Sequence, residues 1–212
     1  MRLVILGPQG AGKGTQSARI SDKYDLPTIS TGDMFRWAIS KGTEVGAKAQ
    51  EYVRSGRLVP DEITIEVVRE RLASADCAQG FLLDGFPRNV AQAEALDEIL
   101  GELGCSLDAA LLIEIPEEVS LRRIMGRRVC SQCGHNYHLD SPPTSDWTCD
   151  RCGGAVEARA DDQDEGAIRE RLRSYREQTE PLKSHYEERG VLRTVDGEGP
   201  PDQVFERITR AL

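Results

Sequence analysis

The sequence predicts an α/β protein built on a parallel sheet of about five strands, with helices on both faces and two inserted lobes. Short apolar runs alternate along the chain with amphipathic helical patterns, which is typical of a parallel sheet that is covered on both faces. Two segments fit this alternation poorly, residues 30–59 and residues 127–163. We therefore predict a core domain of residues 1–29, 60–126 and 164–212, with one lobe at each of the two segments.

The first strand and the first helix are the clearest elements of this core. An apolar run, Arg2–Leu6, ends in glycine, and helical character extends over Lys13–Tyr24. Three later apolar runs, at 81–83, 109–115 and 191–195, predict further strands of the same sheet.

Apolar periodicity predicts the helices between these strands. The pattern at residues 90–103 stops at Gly104, which is a signal for a helix C-terminus. A long helical pattern covers residues 164–189, and we expect Pro181 to kink it. The lobe at 30–59 contains two short helical patterns and no strand.

The composition excludes two classes of protein. The chain has 27 Lys and Arg against 36 Asp and Glu, a formal net charge of −9, and 5% aromatic residues. A general nucleic-acid binder needs a basic surface with stacking side chains, and a membrane span needs an apolar run of about 18 residues, which the sequence lacks. The apolar N-terminal stretch is too short for a signal peptide. We expect a cytoplasmic monomer that binds neither nucleic acid nor membrane.

Four of the six cysteines form a pattern that is typical of a zinc site. The sequence reads CSQC at 130–133 and CDRC at 149–152, with 15 residues between the two pairs. Reducible disulfides and unligated thiols are the alternatives. Four thiolates leave no open position for a substrate, so this zinc would be structural. The remaining thiols, Cys77 and Cys105, are predicted to be small buried hydrophobic groups. The predicted zinc ligands are Cys130, Cys133, Cys149 and Cys152.

The turn between the first strand and the first helix carries the pattern of a phosphate-binding loop. Residues 7–15 read GPQGAGKGT, which fits GxxxxGK with Gly14 in place of the usual Ser or Thr. The glycines let consecutive backbone N–H groups surround phosphate oxygens, the helix N-terminus adds a partial positive charge, and Lys13 adds a full one. We predict that this loop binds the phosphates of a mononucleotide.

Five motifs together resemble those of adenylate kinases. The phosphate loop is followed, in order and at that family's spacing, by ISTGDMFR at 29–36, LVPD at 58–61, DGFPR at 84–88 and RADD at 159–162. The resemblance covers the whole chain, and the cysteine-bearing insert is similar to the zinc-holding lid of the bacterial long-form members. It implies a reversible, Mg²⁺-dependent transfer of a phosphoryl group from ATP to AMP, which gives two ADP and maintains the balance of adenine nucleotides.

The resemblance also implies roles for individual residues. Lys13 would lie between the donor and acceptor phosphates, Asp84 would hold magnesium through its waters, and the lobes at 30–59 and 127–163 would be the AMP-binding lobe and the zinc-binding lid. The residues implied in ATP binding are Gly10, Ala11, Gly12, Lys13, Gly14, Thr15, Arg127, Asn136, Tyr137 and Gly199. Those implied in AMP binding are Thr31, Arg36, Arg57, Leu58, Val59, Gly85, Phe86, Pro87, Arg88, Gln92, Arg159 and Arg171. The implied catalytic residues are Lys13, Asp84, Arg88, Arg127, Arg159 and Arg171.

Several of these assignments have neighbouring residues as alternatives. The family's register favours Arg127 over Arg128. The segment that leads to Arg171 is one residue longer than the usual pattern, and three further arginines lie on the same helix, Arg169, Arg173 and Arg176. Asp161 and Asp162 are expected to order the two hinge arginines, Arg159 and Arg171, rather than to catalyse, or to form only the acidic first turn of the helix.

The expected chemistry explains why the chain offers no general base. The acceptor phosphate is already ionised at pH 7, so the reaction needs charge neutralisation and alignment instead. None of the three histidines lies in a phosphate motif, and His138 is expected to hydrogen-bond within the lid. Gln9 replaces a proline that is common in the family's loop, which questions the rigidity of the loop but no phosphate contact. Closure of the two lobes would exclude water, with hinges at Gly32, Gly56 and Gly126.

Two other functions compete with this interpretation. A kinase for UMP or CMP, or one that uses GTP as donor, would have a similar phosphate loop, although Thr31 and Gln92 favour adenine. A nucleotide-dependent switch with a zinc-ribbon interaction module would also use a phosphate loop and four cysteines. It would leave the DGFPR motif and the hinge arginines without a purpose. Activity with a panel of four monophosphates would separate the first alternative.

Overall fold

A computed structural model describes residues 1–159 and 162–212 of the chain. Asp161, one of the two acids expected to order the hinge arginines, lies outside the described residues. The strands in chain order are β1 (Arg2–Leu6), β2 (Thr28–Ser30), β3 (Phe81–Asp84), β4 (Ala109–Glu114), β5 (Arg127–Cys130), β6 (Asn136–His138), β7 (Val156–Ala158) and β8 (Leu192–Asp196). The α-helices are α1 (Lys13–Tyr24), α2 (Thr31–Ser40), α3 (Glu44–Ser55), α4 (Asp61–Leu72), α5 (Val90–Glu102), α6 (Glu117–Gly126), α7 (Glu165–Ser174), α8 (Leu182–Glu188) and α9 (Pro201–Ala211).

The central sheet has five strands in the order β2-β3-β1-β4-β8, and every neighbouring pair is parallel. The predicted α/β class and the number of strands are therefore confirmed. Four of the strands lie at the apolar runs, and the fifth, β2, was missed by the sequence analysis. All five carboxyl ends meet at one edge of the sheet, because parallel strands run in the same direction.

Helices cover both faces of the sheet, as the apolar runs indicated. Val4 and Leu6 of β1 pack in a cluster with residues of α4, α5 and α8, whereas Leu3 and Ile5 pack with residues of α1 and α9. All four side chains are at most 4% exposed. Burying a Leu or Ile side chain fully contributes about 1.5–3 kcal/mol, so this strand needs apolar residues on both of its faces.

Two groups of elements, which we call the first and the second lobe, lie outside the central sheet, within residues 30–59 and 127–163. The first holds α2 and α3 around a small apolar cluster of Phe35, Ala49 and Val59. The second holds a three-stranded antiparallel sheet in the order β6-β5-β7, in which Arg128 of β5 lies opposite Ala158 of β7. We did not predict the strands of this second sheet.

The pattern at 164–189 is not one kinked helix. Helix α7 ends at Ser174, a π-helical turn covers Tyr175–Thr179, and α8 begins at Leu182, directly after Pro181. Proline has no N–H group and its ring clashes with the carbonyl group four residues earlier, so the α-helical ladder cannot continue through it. The sequence analysis was correct that Pro181 interrupts the helix, but it was wrong that one helix covers the whole segment. Within the described residues, no helix combines the length and apolarity that crossing a bilayer requires.

Candidate active site

A cleft of about 1180 Å³ opens at the carboxyl edge of the central sheet, between the core and the two lobes. Its floor begins where the strands end: Gly7 follows β1, Ser30 ends β2, Asp84 ends β3 and Gly197 follows β8. In open α/β sheets this edge is the usual place for a ligand.

With one exception, the residues predicted to bind ATP or AMP line this single cleft. The exception is Phe86, whose side chain is fully buried in the core cluster below α5. The others come from segments that are far apart in the sequence. They are Gly10, Ala11, Gly12, Lys13, Gly14, Thr15, Thr31, Arg36, Arg57, Leu58, Val59, Asp84, Gly85, Pro87, Arg88, Gln92, Arg127, Asn136, Tyr137, Arg159, Arg171 and Gly199.

The phosphate loop has a fixed backbone and open N–H groups. Gly10 has φ +81°, and a Cβ atom there would lie 2.7 Å from the carbonyl oxygen of Ser120 in α6. Helix α1 begins at Lys13 without a side-chain cap. Its first N–H groups have no partner within the helix, so they can bind an anion. Ser120 Oγ donates a hydrogen bond to the Gln9 carbonyl, which connects the backbone of the loop to α6.

Lys13 lies at the centre of the cleft. Its Nζ donates hydrogen bonds to the carbonyl oxygens of Gly7, at 2.7 Å, and Pro8, at 2.9 Å. Burial lowers its pKa to about 8, and the charges of three surrounding arginines act in the same direction, while Asp84 opposes them. The ammonium of Lys13 thus lies among other cations, and a strongly negative ligand would balance their combined charge.

Asp84, the last residue of β3, and Arg88, in the segment that follows, lie near Lys13. Burial raises the pKa of Asp84, although the charges of Lys13 and Arg88 act against that rise. Burial likewise lowers the pKa of Arg88, which remains a cation because guanidinium does not lose its proton in proteins. Arg88 Nε donates to the Gly85 carbonyl at 2.8 Å, which fixes the direction of its guanidinium.

Gln92 is held by two polar contacts on the side of the cleft that carries the DGFPR motif. Its Oε1 accepts from the Arg88 backbone N–H at 2.8 Å, and its Nε2 donates to Asp61 Oδ1 at 2.7 Å. The side chain of Asn89 donates to both oxygens of Asp61. Thr31 Oγ1 donates to the Gly85 carbonyl at 2.9 Å. The bond to Asp61 therefore directs Nε2 of the Gln92 amide toward Asp61 and Oε1 toward Arg88.

Asp162 joins three segments at the base of the second lobe. Its carboxylate accepts two hydrogen bonds from Arg127, at 2.6 and 2.8 Å, and a longer one of 3.4 Å from Arg171. Gln9 Nε2 donates to the same carboxylate at 2.7 Å. The Asp162 side chain is only 4% exposed, and it contacts Arg127, which was not among the expected partners, as well as the hinge arginine Arg171.

The four arginines that were alternatives to Arg127 and Arg171 do not line the cleft. Arg128 donates to the carbonyl oxygens of Met125 and Arg127. The side chain of Arg171 is 15% exposed, and it also reaches the Val53 carbonyl at 3.2 Å. Three other arginines of this region form ion pairs with nearby glutamates and have side chains at least 55% exposed, namely Arg169, Arg173 and Arg176.

The four predicted zinc ligands meet in the second lobe. Their Sγ atoms all lie within 4.8 Å of one another. Two of the Sγ–Sγ distances are 3.4 and 3.6 Å, far longer than a disulfide bond of about 2.05 Å. Four thiolates on a tetrahedral zinc with Zn–S bonds of about 2.3 Å stand about 3.8 Å apart. The donor set and its spacing therefore fit a zinc ion, and all six cysteines of the chain are free thiols.

Tyr137 and His138 pack around this cluster and the lobe border. Tyr137 OH donates to Cys149 Sγ at 3.4 Å and lowers the pKa of that thiol to about 6. His138 Nδ1 accepts from the Asp140 backbone N–H at 3.1 Å, and the residue does not belong to the cysteine cluster. A Cβ atom at Gly126 would lie 2.0 Å from His138 Nε2, so any other residue at this border position would require the His138 ring to move.

Arg123 is a cleft residue that the sequence analysis missed. Its Nη1 donates to the Gly10 carbonyl at 3.4 Å and its Nη2 to the Gly197 carbonyl at 3.1 Å. Burial lowers its pKa. The available signal was its position in the last turn of α6, four residues before Arg127.

The comparisons with known proteins agree with this geometry. A family model described as Adenylate kinase matches residues 5–191. Relatives that carry the name Adenylate kinase include proteins of Archaeoglobus fulgidus and Desulfitobacterium hafniense, each 52% identical, and of Moorella thermoacetica, 53% identical. Each alignment covers 100% of this chain and 98% of the relative. The chain therefore belongs to the adenylate kinase family of nucleoside monophosphate kinases.

Proposed function

We propose that this protein transfers the terminal phosphoryl group of ATP to AMP, reversibly and with Mg²⁺, to give two ADP. The observation that carries the proposal is the meeting of Lys13 with Arg88 and Asp84. Lys13 belongs to the phosphate loop assigned to ATP, and Arg88 belongs to the motif assigned to AMP. The charges of Asp84 and Arg88 both shift the pKa of Lys13, and the charge of Asp84 also shifts the pKa of Arg88, so the two assigned sites adjoin.

The residues of this cleft supply what phosphoryl transfer between two nucleotides needs. The AMP phosphate is ionised at neutral pH, so no base has to remove a proton from it. The requirement is neutralisation of two polyphosphates and alignment of the attacking and leaving oxygens. We assign the neutralisation to six cations that line the cleft, Lys13, Arg36, Arg88, Arg127, Arg159 and Arg171.

Magnesium is assigned to Asp84. A carboxylate oxygen is the kind of ligand that Mg²⁺ prefers, usually with several waters retained. When bound with ATP, the ion neutralises charge on the β- and γ-phosphates. Asp84 ends β3 beside the ammonium of Lys13, which places a carboxylate where metal-bound phosphates are expected.

We assign the lobe at 30–59 to AMP binding and the lobe at 127–163 to a lid over ATP. Closing both would exclude water, which otherwise competes with AMP for the phosphoryl group. The zinc in the lid is proposed to be structural, because its four thiolates occupy every tetrahedral position. If ATP were hydrolysed without AMP as fast as it is consumed with AMP, the closure proposal would be wrong.

The test of the function is a coupled assay that measures ADP from ATP and each of four monophosphates. We expect AMP to be the preferred acceptor, with two ADP formed for each AMP consumed. Arg88→Ala should lower the rate by roughly 10³-fold, as loss of an arginine on a transferring phosphate does. Arg176→Ala is the matched control, because this arginine pairs with Glu117 at the surface. A preference for UMP or CMP, or single-turnover hydrolysis without an acceptor, would contradict the proposal.

A further inference from the structure

We propose that Gln9 is a positioning residue for phosphoryl transfer, which acts by holding Asp162 and, through it, Arg127 and Arg171. The inference rests on the proposed function and adds a residue to it. Gln9 Nε2 donates to Asp162 Oδ1 at 2.7 Å, and the same carboxylate accepts from both arginines. The phosphate loop, the lid and α7 are therefore joined at one buried carboxylate.

The backbone beneath Gln9 is fixed to the core. The fully buried Ser120 donates its hydroxyl hydrogen to the Gln9 carbonyl. The neighbouring Gly10 packs so closely on α6 that a Cβ atom would lie 2.7 Å from the Ser120 carbonyl oxygen. The Ala11 backbone N–H bonds the Pro8 carbonyl at 3.2 Å and closes the turn. A side chain that extends from such a backbone can define the position of the group that it contacts.

The bond between Gln9 and Asp162 is the polar contact that orients the glutamine amide. Gln9 Oε1 is buried and has no hydrogen-bond partner among residues 1–159 and 162–212. The amide is therefore held by its N–H group, and a hydrogen bond to an ionised acceptor is stronger than one between neutral groups. Because the Asp162 side chain is only 4% exposed, little water competes for this bond.

The expected consequence is a more ordered pair of arginines at the moment of transfer. Without the Gln9 donor, one side of the Asp162 carboxylate loses its anchor on the phosphate loop. Arg127 and Arg171 then keep their charges and their bonds to Asp162 but lose their fixed position relative to Lys13. Misplacement of charged groups lowers the rate of the chemical step more than it weakens ground-state binding.

The test is a double-mutant cycle between Gln9→Met and Asp162→Ala, with kcat and KM measured for ATP and AMP. Methionine keeps the size of glutamine and removes its N–H donor. We expect Gln9→Met to lower kcat by about 3- to 10-fold in the parent chain, with a smaller change in both KM values. In the Asp162→Ala background the same substitution should have no further effect, because its acceptor is absent.

Gln16→Met is the matched control. Gln16 is a glutamine in the first turn of α1, more deeply buried than Gln9, and its Nε2 donates to the Pro201 carbonyl instead of to Asp162. Its effect on kcat should be the same in the presence and in the absence of Asp162. Gln9→Glu provides a second variant, which replaces the donor by a carboxylate opposite Asp162 and should lower kcat more than methionine does.

Two results would overturn the proposal: an unchanged kcat in Gln9→Met, or a Gln9→Met effect of equal size in both backgrounds. A fall in Tm of Gln9→Met that accounts for the lost activity would also count against it, because it would indicate a structural role. The rate of the parent chain tests the proposed function separately. If the parent accepted another monophosphate, the same cycle would be measured with that acceptor.

Discussion

Asp162 accepts two hydrogen bonds from the guanidinium of Arg127, although 35 residues separate them in the sequence. Both oxygens of the carboxylate take part, which is the strongest geometry available to an arginine and a carboxylate. The pair connects the start of β5 with the segment that precedes α7. The base of the lid and the beginning of α7 therefore move together for as long as the pair is intact.

Single substitutions distinguish the role of Arg127 from that of its neighbour Arg128. Arg127→Ala should lower kcat/KM for ATP by roughly 10²- to 10³-fold, because it removes a cation from the cleft and leaves a buried carboxylate with fewer partners. Arg128→Ala should change the same quantity by less than about threefold, since that side chain bonds backbone carbonyls outside the cleft. Equal losses in both variants would contradict the assignment.

Arg171 and Arg169 offer a second matched comparison on one helix. Arg171→Ala should lower kcat strongly, by about 10²-fold or more, because its buried guanidinium contacts Asp162 and lines the cleft. Arg169→Ala should leave kcat unchanged, since its pair with Glu165 is exposed and such pairs contribute little. Steady-state rates at saturating ATP and AMP distinguish the two. If Arg169→Ala lowered kcat more than Arg171→Ala, the assignment of Arg171 would be wrong, and the extra residue before it would explain the error.

The lowered pKa of Lys13 predicts a pH dependence for ATP binding. With a pKa of about 8 in the nucleotide-free protein, Lys13 is charged at pH 7 and largely neutral at pH 9. Bound phosphates favour the charged form, so above pH 8 binding must take up a proton and weakens as pH rises. The Kd for ATP should increase about tenfold between pH 7 and pH 9. Calorimetry in buffers of different ionisation enthalpy measures both the Kd and the proton uptake.

Lys13→Arg is the control for this dependence. The guanidinium does not lose its proton below pH 12, so its Kd for ATP should vary little over the same pH range, whatever its absolute value. A parallel rise in both proteins would assign the effect to another group.

Removal of the metal should affect the lid before it affects the core. The apolar cluster of the lid consists of Val156 and Tyr137 packed with two of the ligands, Cys130 and Cys149. Chelation should therefore lower Tm by roughly 5 °C or more and expose the amides of β5–β7 to hydrogen exchange, while the amides of β1 remain protected. The Kd for AMP should change little near 25 °C, because all the residues assigned to AMP except Arg159 lie outside the lid.

A Cys133→Ser variant tests the same site without a chelator. It should bind less than one zinc per chain and show the lowered Tm of the chelated protein, whereas Cys105→Ser, outside the cluster, should bind one zinc per chain. An unchanged Tm in Cys133→Ser would contradict a structural metal.

The parts of the fold that the sequence predicted are those that local apolar pattern decides. The strand Arg2–Leu6 and the helix Lys13–Tyr24 were predicted with the bounds that the structure has. The strand Thr28–Ser30 has one buried apolar residue, Ile29, so its sequence shows no apolar periodicity that would predict a strand. Its pairing with β3 comes from the tertiary structure. The lid strands were missed for a related reason, because the cysteine cluster and not an apolar face holds them together.

The site was predictable where it lies in contiguous motifs and unpredictable where it depends on distant contacts. Three of the motifs, at 7–15, 29–36 and 84–88, lie at the carboxyl ends of neighbouring strands of one parallel sheet, so their residues meet without further information. Asp61, Arg123 and Gln9 have their partners 31, 113 and 153 residues away, and nothing in the local sequence indicates those partners. Phe86 is the opposite case: its motif lies at the cleft, but its own side chain lies in the core.

The pairing of Arg128 with Ala158 has a consequence for how this protein can be altered. Cα atoms of residues opposite each other in an antiparallel ladder lie about 4.5–5.5 Å apart, so the chain leaves the core and returns to it at neighbouring points. From the core, the whole segment between them is equivalent to a hairpin loop of arbitrary length. It could be exchanged for a short turn or for a foreign domain with adjacent termini, and the sheet and its helices would keep both of their junctions.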